Sequence, residues 1–157
     1  MSKSFEGNYK AVKELARVCL KAGQSVFIKG GPGIGKSSMA YELAKDFNLD
    51  MVELRLSQME PSDLAGMPFP NKETGTVEWY RPYWVPVDRP KFILLDEFNS
   101  GVTKLHQAAA YQIVFDNGVG PHKFAKGTMV MAAGNREEDN AIVVPLSSAL
   151  NNRFAGH

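Results

Sequence analysis

An open α/β fold with a mostly parallel sheet is what this sequence predicts, and three observations predict it. Short apolar runs alternate along the chain with segments of helical spacing. Phe92-Ile93-Leu94-Leu95 places four apolar residues in a row, which suits a parallel strand covered on both faces. Gly30-Gly31-Pro32-Gly33-Ile34-Gly35-Lys36-Ser37 is a glycine-rich loop set between an apolar run and a helical pattern, the order a phosphate-binding loop requires.

Taken in order, residues 9–22 form an amphipathic pattern that ends at Gly23. Val26-Phe27-Ile28 is a short buried strand leading into the glycine-rich loop. After the loop, Met39, Ala40, Leu43, Ala44 and Phe47 recur at helical spacing. Met51-Val52-Glu53-Leu54-Arg55-Leu56 alternates as a second strand. Residues 57–90 hold six of the nine prolines and both tryptophans, so they make an irregular excursion from the core. Within it Ser62-Asp63-Leu64-Ala65-Gly66 suits a short helix or turn, and Thr76–Tyr80 suits one arm of a hairpin. The excursion is either functional decoration or packed surface. The strand 91–97 follows, then a helix marked by Leu105, Ala108, Ala109 and Ile113. Residues 116–121 are a turn cluster, and 128–133 are another buried strand closed by Gly134-Asn135. A last helix is expected from about Leu146 to Asn152.

The glycine-rich loop carries specific chemistry. Its glycines let main-chain N–H groups approach a polyphosphate. Gly31, Pro32, Gly33, Ile34, Gly35, Lys36, Ser37 and Ser38 are the expected nucleotide contacts. Lys36 supplies a point charge for the β- and γ-phosphates, and Ser37 a hydroxyl for Mg²⁺. In open α/β sheets chemistry gathers at the carboxyl ends of strands. Asp96-Glu97 closes one such strand in the Walker B arrangement. Asp96 is expected to hold Mg²⁺ through its water shell, and Glu97 to orient an attacking water. Asn135 closes another strand, where it can bond the γ-phosphate or that water.

The order of these motifs resembles the core of AAA+ ATPases, and more narrowly their MoxR-type branch with its dynein- and midasin-related relatives. The residues that carry the likeness are Gly30–Ser37, Leu94-Leu95-Asp96-Glu97-Phe98-Asn99, Gly134-Asn135, Asp63-Leu64-Ala65-Gly66 and Asn151-Asn152-Arg153-Phe154. The resemblance covers roughly residues 20–157 and implies a P-loop NTPase three-layer sandwich, one domain spanning the chain. It makes residues 57–90 the helix-2 insert region, with 67–90 the inserted part proper, and residues 116–127 the hairpin before sensor 1. It makes Asn135 sensor 1 and Arg153 an arginine finger acting on a neighbouring subunit. It further implies ATP or ADP with Mg²⁺, a homo-oligomer that is hexameric in the complete protein, and a protein client or a von Willebrand factor A-domain partner. Two departures stand out. The last core strand and the helical lid do not fit after Arg153, which would leave strand 26–28 at an exposed sheet edge. Gly134-Asn135-Arg136-Glu137 replaces the usual Asn-Pro, and Arg136 is open to two readings, a subunit contact or an ion pair with Glu137 or Glu138.

Composition bounds the function. The chain has 157 residues and a net charge of +1, so charge gives no argument for nucleic acid or a membrane surface. Lys123 and Lys126 are the only foothold for a DNA-acting motor. No apolar stretch approaches the roughly 18 residues of a membrane span, and the N-terminus lacks a signal-peptide core, so a cytoplasmic location is expected. The single cysteine, Cys19, reads as a buried thiol. His106, His122 and His157 lack metal-ligand spacing. The expected function is Mg-dependent ATP hydrolysis that remodels a protein client. The alternative is a nucleotide-dependent binding module that scarcely hydrolyses.

Overall fold

The computed structural model describes residues 5–31, 35–98, 103–135 and 141–146. The chain begins with a short strand β1 (Phe5–Gly7) and helix α1 (Tyr9–Lys21). Asn8 caps α1, its Oδ1 accepting the Ala11 amide at 2.9 Å. Strand β2 (Ser25–Gly30) leads into the glycine-rich loop, and α2 (Lys36–Asp46) leaves it. Strand β3 (Asp50–Arg55) ends in a 3₁₀ turn over Leu56–Gln58. The excursion that follows contains α3 (Pro61–Ala65) and a hairpin of β4 (Met67–Asn71) and β5 (Thr76–Tyr80). Strand β6 (Lys91–Asp96), helix α4 (Lys104–Asp116), a small hairpin of β7 (Gly118–Val119) and β8 (His122–Lys123), strand β9 (Met129–Asn135) and strand β10 (Ala141–Leu146) complete the order.

Six strands make one sheet in the order β1-β10-β2-β9-β6-β3. The four strands β2, β9, β6 and β3 run parallel. Strand alternation divides the interior into two cores. Phe92 and Leu94 face α1 and α2, with Val26, Ile28, Leu43 and Met131. Ile93 and Leu95 face α4, with Leu54, Ile113, Val130 and Ala132. All four β6 residues have no exposed surface, so each contributes about 1.5–3 kcal/mol of burial. This is the three-layer α/β sandwich the sequence predicted.

Strand 26–28 is not at a sheet edge, contrary to expectation. Residues 141–146 form β10, which pairs antiparallel with β2 from Ile142↔Lys29 to Leu146↔Ser25. Outside it lies β1, paired Phe5↔Val143 to Gly7↔Ala141. The physical reason is the apolar run Ala-Ile-Val-Val-Pro-Leu, whose Val143 is fully buried against α1 and β2. An antiparallel strand therefore covers the edge that was expected to be exposed. Leu146 accordingly ends a strand rather than starting a helix, and the rest of that expected helix lies outside the described residues. The residues after 146, on which the expected absence of the last core strand and lid rests, likewise lie outside them. Asn135 is the last residue of β9 itself, not a turn residue beyond it. Among the described residues no helix is long and apolar enough to cross a membrane.

The excursion is packed by its tryptophans and exposes its tyrosines. Trp79 Nε1 donates to the Ala65 carbonyl at 2.9 Å, and Trp84 Nε1 to the Asp63 carbonyl at 2.8 Å. Trp84 packs edge-on against Phe124 of the following hairpin. His122 Nε2 donates to the Trp79 carbonyl at 2.7 Å, which ties the two hairpins together. Gly66 makes the sharp entry into the β4–β5 hairpin at φ +81° and ψ −169°, a region essentially closed to other residues. A Cβ there would stand 2.1 Å from the Tyr80 carbonyl oxygen. Gly66→Ala is therefore expected to destabilise the protein by at least about 2 kcal/mol, read as a lower midpoint in urea unfolding.

Candidate nucleotide site

The site lies at the carboxyl ends of the parallel strands, where the topology switches. From β2 the chain crosses through α2 to β3 on the far side. From β6 it returns through α4 to β9 beside β2. Ligands in such sheets bind in the crevice where adjacent strands lead away in opposite directions.

Register sets the first element of the site. Gly30 pairs with Asn135, so the start of the glycine-rich loop and the end of β9 are side by side. Gly35 takes φ +83°, which lets α2 begin abruptly, and the Tyr9 ring packs where a Cβ would project, 3.3 Å away. The Tyr9 hydroxyl hydrogen-bonds the Glu42 carboxylate on α2. Burial, then this bond, pushes its pKa up to about 12. Tyr9 is thus a fixed aromatic wall beside Gly35.

α2 begins without a capping side chain. The other helices differ. Asn8 serves α1. Asp63 of α3 accepts the Glu60 amide at 2.9 Å. Thr103 and His106 form a reciprocal box at α4. The first amides of a helix need acceptors, and an uncapped helix start after a glycine-rich loop suits an anion.

Lys36, the first residue of α2, folds back under the loop. Its Nζ donates to the Gly30 carbonyl at 2.9 Å, the Gly31 carbonyl at 3.2 Å and Asn135 Oδ1 at 3.2 Å. Burial pushes its pKa below the usual lysine range, and the nearby Asp96 carboxylate opposes that shift. A phosphate would meet an ammonium that is short of solvation and positioned by three acceptors.

Asp96 ends β6, and its Oδ1 accepts the Glu97 amide at 2.8 Å. The chain then kinks. Glu97 takes φ +58°, a costly angle for a residue with a side chain, of order 1–3 kcal/mol. The Phe98 amide returns to the Ala133 carbonyl at 3.0 Å, and its ring is buried against Phe27. Glu97 is therefore thrust outward between two anchored neighbours. Its Oε2 accepts the Ser57 hydroxyl, and its Oε1 lies 3.9 Å from Arg55 Nε.

Ser57 was not expected. It lies in the 3₁₀ turn two residues past the end of β3, at the same edge of the sheet as Asp96 and Asn135. The rule that located those two, a polar residue at a strand's carboxyl end, also applies to it. His106 was read only as lacking metal spacing, and it is a structural bridge. Its Nδ1 accepts the Thr103 amide at 3.2 Å, and its Nε2 donates to the Met59 carbonyl near Ser57.

The structure therefore brings Gly31, Gly35, Lys36, Asp96, Glu97 and Asn135 to one edge. Ser37 and Ser38 are in the first turn of α2. Pro32, Gly33, Ile34, Arg136 and Arg153 lie outside the described residues.

A glycine-rich loop at a switch point, a half-buried lysine beneath it and an acidic pair on the neighbouring strand define a nucleotide-binding domain of the P-loop class. The chain belongs to the AAA domain family, dynein-related subfamily, whose profile matches residues 25–154. The AAA+ core and the dynein-related branch expected from its motifs are the family it has. It is similar to a crystal structure described as a "putative ATPase" from Cytophaga hutchinsonii ATCC 33406, at 25% identity and a TM-score of 0.54. That likeness covers 84% of this chain and 40% of the other, so this chain corresponds to two-fifths of that protein's length. Among curated proteins no sequence matches.

Proposed function

We infer that the chain binds ATP with Mg²⁺ and hydrolyses it between subunits of a ring, using the energy to remodel a protein client. The observation that carries this reading is the convergence of Lys36, Asp96, Glu97 and Asn135 on the uncapped start of α2. AAA family membership supports it.

The residues suit the metal. Asp96 has one carboxylate oxygen engaged by the Glu97 amide, and among the described residues no side chain bonds the other. Ser37 stands one residue after Lys36, and its hydroxyl makes no hydrogen bond among the described residues. Ser37 and Asp96 would hold Mg²⁺, which supplies positive charge to the polyphosphate.

The chain's own groups supply the rest. The loop amides and the start of α2 bind the β-phosphate. Lys36 exchanges its loop carbonyls for phosphate oxygens and spreads the charge on the γ-phosphate. Glu97 aligns and polarises water, and Asn135, joined to Lys36, fixes the distance between the water and the phosphate. Arg153 reaches the neighbour's nucleotide in trans.

An arginine finger is worth about 10³–10⁵ in rate, so turnover per subunit should climb with protein concentration as subunits assemble. Steady-state phosphate release across a concentration series tests this. Rising specific activity supports the inter-subunit reading. Nucleotide binding with negligible release at every concentration would leave the binding module instead.

A further inference from the structure

We propose that the free edge of β3 is a docking site for an extended segment of another polypeptide, which adds a seventh strand to the sheet and sets a carboxylate against Arg81. This goes beyond the nucleotide reading and does not depend on it.

β3 is the outermost strand on its side of the sheet and pairs only with β6. Among the described residues no main-chain group bonds its outer edge. Natural edge strands are usually blunted by proline, a bulge or a covering element. β3, Asp-Met-Val-Glu-Leu-Arg, contains no proline and keeps unbroken register with β6 from Asp50↔Lys91 to Arg55↔Asp96.

A cavity of about 1010 Å³ runs beside that edge. Four consecutive residues, Met51 to Leu54, line it. Successive side chains in a strand point to opposite faces, so a lining of four in a row includes the strand's outer main chain. The opposite wall is the chain from Trp79 to Arg89. The cavity is therefore a groove between an unpaired strand edge and an aromatic strap. Tyr83 on that strap is 95% exposed, and Tyr80 is 57% exposed and stacked on Phe69. Groove and aromatic surface are continuous through Tyr80.

Charge selects the occupant. Arg89 and Lys91 both meet Asp50, at 2.9 and 3.9 Å. Glu53 is engaged by Tyr41 at 2.7 Å and by Arg55 at 3.7 Å. Arg81, Arg89 and Lys91 line the groove against Glu53 and Asp88, so cations outnumber carboxylates there, and Arg81 has no acidic partner among the described residues. A strand with apolar side chains at alternate positions and a terminal carboxylate satisfies all three features. Main-chain bonds to β3 would give affinity, and the aromatic strap and Arg81 would give specificity.

The test uses a fluorescein-labelled ten-residue peptide of alternating valine and threonine, ending in glutamate at both termini. A second peptide ends in lysine, and two further peptides are N-methylated at odd or at even positions. The glutamate peptide should bind the full chain and slow amide hydrogen exchange at residues 50–55. The lysine peptide should bind about tenfold more weakly, and Arg81→Glu should invert the ranking. One of the two methylated peptides should lose binding and the other keep it. Arg81 is exposed, so the variant should fold normally. Absence of binding, indifference to the end charges, or unchanged exchange at 50–55 would overturn the proposal. Slow exchange at 50–55 in the chain alone, rising on dilution, would assign the edge to a second copy and overturn it equally.

Discussion

Replacing Lys36 with alanine is expected to weaken adenine-nucleotide binding at least about a hundredfold while the fold stays intact. The ammonium lies beneath the loop with its donors on Gly30, Gly31 and Asn135, so it is placed before any phosphate arrives. Lys29, just ahead of the loop, has its Nζ over the Phe27 ring, 5.6 Å from the centroid. Arg55 is taken up with Glu53 and Glu97. Burial already disfavours the charged lysine, so losing it relieves that cost while three hydrogen bonds disappear. These effects oppose each other, and the change in stability should stay within about 1–2 kcal/mol. Calorimetric titration with magnesium adenylates, beside a urea unfolding curve, separates the two quantities. Normal affinity in a folded Lys36→Ala protein would remove Lys36 from the site.

Glu97→Gln is expected to bind nucleotide as tightly as the parent and to lose about 10²–10⁴ of its hydrolysis rate. Glutamine is nearly isosteric and still accepts the Ser57 hydroxyl, so the kink at 96–98 should survive. What the substitution removes is the negative charge that polarises water. A residue held at φ +58° between an anchored Asp96 and an anchored Phe98 is maintained at a cost in stability. Such outliers persist where the surroundings over-determine them and cluster at functional sites. Phosphate release under single-turnover conditions reads the chemical step directly. Parental hydrolysis by the assembled glutamine variant would contradict the role given to Glu97.

The parts of the site that were legible in the sequence are those built from contiguous residues. Gly30–Ser37 and Leu94–Glu97 carry their own spacing, and strand order then brings them together at one edge of the sheet. Asn135 could be placed because it closes an apolar run. Ser57 and Tyr9 were harder. Their roles come from contacts across 40 and 33 residues, with Glu97 and Glu42, and no local pattern announces such pairs. The strand β10 was missed for a different reason. Ala141–Leu146 lacks alternation and contains Pro145, a residue usually excluded from interior strands. Pairing with β1 and β2 overrides that local bias. The excursion showed its composition and one hairpin arm. Which aromatics pack and which face solvent was set by acceptors, Ala65 for Trp79 and Asp63 for Trp84, supplied elsewhere in the fold.

The pairing of Gly30 with Asn135 has a consequence for how this protein can fail. Ladder register changes only in whole residues, and a slip by one turns each side chain to the other face. The alignment of Asn135 with Lys36 is thus a discrete property: the strands hold it, or they have come apart. Mild heating or a modest core lesion should thin the population of competent molecules while each survivor keeps undiminished function.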